Sequence, residues 1–171
     1  MLAAMATALN DAGHWAEVTD RDWRGVYMTD EARRIFGGRS ELAPYPVGAH
    51  VYGPERQSMQ MEWGGGQFPL EVNREIFAVF APVVLADTPG GRAGLREVVD
   101  PRLRDLVDDM VPVELTTART VRFRGIYNAQ GAAVEMLHCQ WRLRDGAGRI
   151  VGAAYLSKPA VGMSNISRMT A

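Results

Sequence analysis

The last third of the chain restricts the fold most. After Pro112 three long β-like runs follow one another, about Ala118–Tyr127, Ala132–Arg144 and Arg149–Lys158. They are joined by Asn128-Ala129-Gln130-Gly131 and Asp145-Gly146-Ala147-Gly148, both of which have the chemistry of hairpin turns. Three consecutive antiparallel strands are therefore expected. In the middle run Leu137, Cys139, Trp141 and Leu143 alternate with His138, Gln140, Arg142 and Arg144. A period of two with apolar and polar sets is the pattern of a sheet with one buried face. The expectation is that the first set faces the core and the second faces out.

The start of the chain supplies the rest of the sheet. Leu2, Met5 and Leu9 recur at helical spacing in an alanine-rich setting, and Gly13 can cap the end of a helix over 2–12. Two brief β-like runs come next, Trp15–Thr19 and Trp23–Met28, separated only by Asp20-Arg21-Asp22. That gap is too short for anything but a hairpin turn. Thr29 or Asp30 then reads as an N-cap, and Glu31–Phe36 as a short helix stopped by Gly37-Gly38.

Between these two sets the chain is helical where it is regular. Residues 39–67 are punctuated by proline and glycine and read as loop, with a helix from Pro54 to Trp63. From Pro69 onward Leu70, Asn73, Phe77, Phe80 and Val84 fall near one stripe, with a break or kink expected at Pro82. Leu95, Val98 and Val99, then Leu103, Leu106, Val107 and Met110, support one or two further helices. Neither strand set buries enough surface alone, so both must share one sheet with these helices on one face.

Composition excludes several functions. The 171 residues are 47% hydrophobic and 23% charged, with a formal net charge of -1. This balance does not favour general attraction to nucleic acid or anionic lipid. The 18 arginines against one lysine, Lys158, read as codon bias of a GC-rich bacterial genome. The single cysteine, Cys139, cannot form an internal disulfide and suits a reducing compartment. No run approaches the roughly 18 apolar residues of a membrane span. Met1–Leu9 lacks the basic segment of a secretory signal. A cytoplasmic single domain is expected.

No pattern points to chemistry. His14, His50 and His138 are far apart and no His or Cys pair has metal-ligand spacing. Gly64-Gly65-Gly66 lacks the Lys-Ser/Thr of a phosphate loop, and there is no Gly-x-Ser-x-Gly elbow.

The order helix, two strands, several helices, three strands is that of PAS domains, and local sequence resembles that family too. His14 to Asp30, with its Asp-containing turn between two short strands, resembles the PAS opening. Val121 to Leu156 resembles the three closing strands, with Arg144-Asp145-Gly146-Ala147-Gly148-Arg149 as the late turn. More narrowly, Gly13-His14-Trp15-Ala16-Glu17, Leu85-Ala86-Asp87-Thr88-Pro89-Gly90-Gly91 and Ser157–Met163 resemble the N-terminal sensor of bacterial proteins with a downstream class III adenylate/guanylate cyclase domain. The middle, residues 39–112, is longer than the usual PAS helical segment.

The resemblance implies an α+β fold: a five-stranded antiparallel sheet with helices on one face, preceded by an N-terminal helix. Residues 1–13 would be a dimerisation helix, 14–158 the sensor, and 159–171 a linker to a C-terminal effector. The implied function is regulation without catalysis: a small ligand, signalling through dimer rearrangement to a nucleotide cyclase or similar output. Phe77, Phe80, Phe123, Leu137, Cys139 and Trp141 are expected to line an apolar pocket suited to a fatty acid or similar molecule. His50 lies where PAS pockets open, but in a loop rather than on a haem-bearing helix. Cys139 lacks the Gly-x-Asn signature of flavin-adduct cysteines and reads as a packing residue. Haem and flavin are therefore less favoured than an apolar ligand. Leu2, Met5 and Leu9 form a stripe expected to pair across a two-fold axis in a homodimer. Arg122, Arg124, Arg142 and Arg144 are expected to share one sheet face, either solvated or docking a partner. Two alternatives stay open: a small enzyme or carrier of isomerase-like fold, and a dimerisation module without ligand. The isomerase-like fold would want polar groups converging in its cavity, where this pattern places apolar ones, with Glu135 the exception.

Overall fold

The computed structural model describes residues 1–37, 42–63, 69–127 and 133–160. The Gly64-Gly65-Gly66 loop and nearly all of the 159–171 linker lie outside the described residues.

Helix α1 (Leu2–Asp11) leads into strands β1 (Trp15–Asp20) and β2 (Gly25–Met28). In the turn between them, Asp20 Oδ1 accepts from the backbone N–H of Asp22 and of Arg24, each at 2.9 Å. This is the aspartate turn that the sequence suggested. Helix α2 (Asp30–Gly37) starts at Thr29, whose Oγ1 lies 3.4 Å from the Ala32 N–H. The same hydroxyl accepts from Ala16 N at 3.0 Å and donates to His14 O at 2.6 Å, so the cap also fastens β1. Helix α3 (Pro54–Trp63) opens on its proline, where a missing N–H costs nothing.

Helix α4 (Leu70–Asp87) runs without interruption through Pro82. The expected break is absent because Phe80, Ala81, Val83 and Val84 on either side are all essentially fully buried against the sheet and its covering loops. The Pro82 carbonyl takes an additional bond from Val113 N at 2.9 Å. Helix α5 (Gly91–Val98) and a 3-10 helix (Pro101–Val107) follow, the latter capped by Asp100.

Strands β3 (Ala118–Tyr127), β4 (Ala133–Arg144) and β5 (Ile150–Pro159) complete one antiparallel sheet. Its order is β2-β1-β5-β4-β3, with β1 between β2 and the last strand. This is the PAS-like arrangement that the order of elements implied, and an α+β fold with a five-stranded sheet.

The main helical layer covers one face, and α1 lies on the other. Ala6 and Leu9 of α1 are buried against Ala16, Val18, Leu143 and Ala154, with Leu2, Met5, Trp141 and Leu156 packed around them. Two corrections follow. The apolar stripe Leu2, Met5 and Leu9 is taken up by the chain's own sheet rather than left for a two-fold partner. And Leu143 and Trp141 face α1, so the other set on β4 faces the main helical layer. Gln140 is fully buried there, His138 packs on Phe80, and the Arg142 side chain is only 3% exposed. The alternation was read in the right register but assigned to the wrong face. A further consequence is that Arg122 and Arg142 lie on opposite faces. Arg122 pairs with Glu135 in solvent, whereas Arg142 is ion-paired with Asp87 and lies 4.9 Å over the Trp23 ring.

Close contact between α1 and the sheet is reflected at Gly152 in β5. A Cβ there would lie 2.1 Å from the Thr19 carbonyl oxygen and 3.1 Å from Leu2 Cδ2, so only glycine fits.

Candidate functional site

Sheet and helices do not close completely on each other. A cavity of about 130 Å³ remains between the sheet on one side and α2, α3 and α4 on the other. Trp15, Glu17, Phe123, His138, Tyr155 and Ser157 line it from the sheet; Ala32, Arg56, Gln57, Gln60, Asn73, Ile76 and Phe80 line it from the helices. Val51 and Tyr52, in the loop before α3, form part of the wall. Strand periodicity explains the sheet side. Glu17 pairs in register with Tyr155, and His138 with Ser157, so these alternate residues stand on one face.

An ion pair anchors the wall. Arg56 Nη2 lies 3.1 Å from Glu17 Oε2 and Arg56 Nε 3.3 Å from Oε1, with side-chain exposures of 7% and 14%. The Tyr45 hydroxyl donates to Glu17 Oε1 at 2.8 Å. Burial, reinforced by the Glu17 charge, pushes the Tyr45 hydroxyl far above its ordinary value. Tyr52 and Tyr155 are raised by the same burial. All three phenols stay neutral at physiological pH.

His138 stands on the same sheet face as Glu17. Its Nδ1 is 2.7 Å from Ser157 Oγ, and its ring lies 4.2 Å from that of Phe80 and 5.4 Å from that of Tyr155. Burial, with Arg119 adding to it, pushes its pKa down to about 3, so the ring is neutral. Part of the residue is exposed, but its Nε2 is shut away and has no hydrogen-bond partner in the protein. The Tyr155 hydroxyl and Gln57 Oε1 are buried in the same condition. Buried polar atoms are normally paired, so three unpaired ones on residues that line one cavity set this region apart from an ordinary core.

Of the residues singled out from sequence, Phe80 and Phe123 line the cavity, their rings edge-to-face at 5.3 Å. Phe77 is buried behind it, edge-on to Tyr52 at 4.9 Å. Leu137, Cys139 and Trp141 are on the opposite sheet face. Cys139 there lies 3.4 Å from the Thr120 hydroxyl. His50 is buried outside the cavity, where its Nδ1 accepts from Tyr52 N at 3.3 Å and its backbone bridges to Arg24. Glu17, Tyr45, Arg56, His138, Tyr155 and Ser157 escaped the sequence reading. The signal for His138 was the polar half of the β4 alternation, set aside as solvent-facing; Tyr155 and Ser157 lie on β5, where no alternation was read. Because of this inversion polar groups do converge in the cavity, and the argument against an isomerase-like fold from an apolar interior falls. Strand order separates the two folds instead.

No family model and no curated protein matches the chain. Among solved structures it is similar to the PAS domain of Bordetella pertussis BvgS, with a TM-score of 0.49 and 14% identity over 98% of this chain and 91% of that one. It is also similar to the PAS domain of a Colwellia psychrerythraea protein, at 0.44 and 13% over 92% and 95%. A third is the Vibrio cholerae VqmA dimer, at 0.43 and 9%, where 98% of this chain spans 56% of that one. No helix among the described residues is long and apolar enough to cross a membrane.

The two buried histidines give a pH dependence. Burial, then Arg24, pushes His50 down to about 4, alongside His138 at about 3. Both bind a proton near pH 6.5 when unfolded, so the unfolded chain takes up protons first as pH falls. Stability should be level above about pH 7 and drop by about 2 kcal/mol per histidine between pH 7 and 5. Urea unfolding of the wild type and of His138→Leu at both pH values checks this, the variant losing about half of the drop.

Proposed function

We propose that this chain is a regulatory sensor domain that holds a small ligand in the cavity between sheet and helices. The observation that supports this most is the set of buried polar atoms, Tyr155 Oη, His138 Nε2 and Gln57 Oε1, left without protein partners on residues that line the cavity from sheet and helices. An interior built only for stability would pair them or replace them by apolar groups.

Occupancy of the cavity has a path to the surface. Tyr155 packs at 5.8 Å on Trp23, which is 2% exposed and held at a φ of 59°, in the left-handed region. Trp23 Nε1 donates to Asp87 at the end of α4 at 2.9 Å, and Asp87 pairs with Arg142 of β4. A ligand pressing on Tyr155 therefore bears on the junction of the β1–β2 turn, α4 and β4. The output is read as a C-terminal effector on the same polypeptide, a nucleotide cyclase or similar signalling domain, in a cytoplasmic protein. A homodimer would have to form through a surface other than the stripe of α1.

Filling the cavity tests the reading. Ser157→Phe places a ring in the space beside His138. The variant is expected to stay folded and to lose binding of molecules that co-purify with the wild type and are released for mass spectrometry. Retention of the same molecules by Ser157→Phe would place them elsewhere and remove the cavity from the proposal.

A further inference from the structure

Resting on the reading of this cavity as a ligand site, we infer that its occupant is an electrically neutral molecule about one aromatic ring in size. It carries a hydrogen-bonding group recognised by Tyr155 and His138. Three observations lead there: charge, size and the placement of unpaired polar atoms.

Among the described residues lining the cavity, Glu17 and Arg56 are the ones with full charges, and they are ion-paired with each other. Tyr45 takes up a further bonding position on the same carboxylate. The wall as a whole is therefore neutral, and the histidine on it is an uncharged ring. An anion or cation entering would lose its hydration and find no opposite charge left to meet it, a penalty that pairing alone can offset. A fatty acid, favoured from sequence, would bring its carboxylate to this wall and is disfavoured on that ground.

Size limits the choice further. The free space is about 130 Å³, close to the roughly 150 Å³ engineered cavity of another protein that takes up benzene. Haem and flavin are several times larger than a single ring. The apolar part of the wall is itself aromatic, with Phe80 and Phe123 edge-to-face and Tyr52 nearby, which suits a flat ring.

Polarity supplies the last element. Tyr155 is 7% exposed and its hydroxyl is unpaired, and the unpaired His138 Nε2 belongs to a ring 5.4 Å away. A phenol both donates and accepts, and a neutral imidazole nitrogen does one or the other. Together they suit an amide, a hydroxyl or a ring nitrogen on the occupant. A pure hydrocarbon would leave both atoms unsatisfied.

Five matched probes test this on the full chain at neutral pH by calorimetric titration: toluene, benzamide, benzoate, benzylamine and naphthalene-2-carboxamide. Benzamide should bind at least tenfold tighter than benzoate, than benzylamine in its cationic form, and than the two-ring amide. In Tyr155→Phe, which keeps the ring and loses only the hydroxyl, the benzamide-to-toluene affinity ratio should fall about five- to tenfold. Unchanged melting of the unliganded variant shows that it is folded. Tighter binding of either ion, or of the two-ring amide, overturns the inference on charge or on size and leaves the sensor reading standing. An unchanged ratio in Tyr155→Phe overturns the polar recognition. Failure of all five probes to bind overturns both the inference and the cavity as a ligand site.

Discussion

Replacing Glu17 with leucine should lower the unfolding free energy by about 3–5 kcal/mol. The reason is what it leaves behind. Arg56 is 6% exposed overall, so loss of Glu17 takes the paired carboxylate away from a guanidinium in the protein interior. It also removes the acceptor of the Tyr45 hydroxyl. Gly25 makes that tyrosine's approach possible, since a Cβ there would fall 2.0 Å from the Tyr45 oxygen. Arg56→Leu alone should cost a similar amount, because a buried carboxylate is then left with only a phenol. The double replacement should cost clearly less than the two single losses added together, since two apolar side chains strand no charge. Urea denaturation of the four proteins measures the cycle. Strict additivity, or a loss below about 1 kcal/mol for either single variant, would show that the pair behaves as a solvated surface bridge.

Removing residues 1–12 should destabilise the domain rather than convert a dimer into a folded monomer. Helix α1 buries Ala6 and Leu9 and half-buries Leu2 and Met5 on the outer sheet face, where Val18 and Ala154 are fully buried beneath it. At about 1.5–3 kcal/mol per large buried side chain, roughly 5 kcal/mol of stability goes with it. The uncovered face would carry Val18, Leu143, Trp141 and Leu156 side by side, a patch that promotes aggregation. Leu9→Ala is the milder form and should cost about 2–4 kcal/mol. A truncated chain that unfolds at the same urea concentration as the full one would show that α1 contributes nothing to the fold.

Much of the architecture was already legible in the amino-acid pattern. Asp20 between two short β runs, Thr29 before Glu31, Pro54 at a helix start and the Asp145-Gly146-Ala147-Gly148 hairpin join are local signals. Each depends on backbone chemistry within a few residues, and each was found where the sequence put it. That both strand sets share one sheet followed from these elements too, because two short hairpin strands and a three-strand meander cannot stay apart as separate sheets. Pro82 is the local signal that misled. A proline's cost in a helix is a few kcal/mol, and burial of Phe80, Ala81, Val83 and Val84 around it outweighs that.

The cavity was another matter, and β4 shows why. Its alternation says that Leu137, Cys139, Trp141 and Leu143 share one face and His138, Gln140 and Arg142 the other. Which face meets the main helical layer is not written in a period of two once both faces are covered. Here α1 takes the more apolar face. The polar face is left to α3 and α4, where Glu17, Arg56 and Tyr45 compensate one another. Those three are separated by 28 and 39 positions in the chain, and no local spacing announces their meeting. The amino-acid order alone determined the elements and the pairing of strands that follow one another in the chain, because hydrogen-bonding period and turn chemistry act over short range. Only tertiary packing decided which face encloses the cavity and which polar atoms remain unpaired on its wall, because burial and charge compensation are settled among residues that only the folded chain brings together.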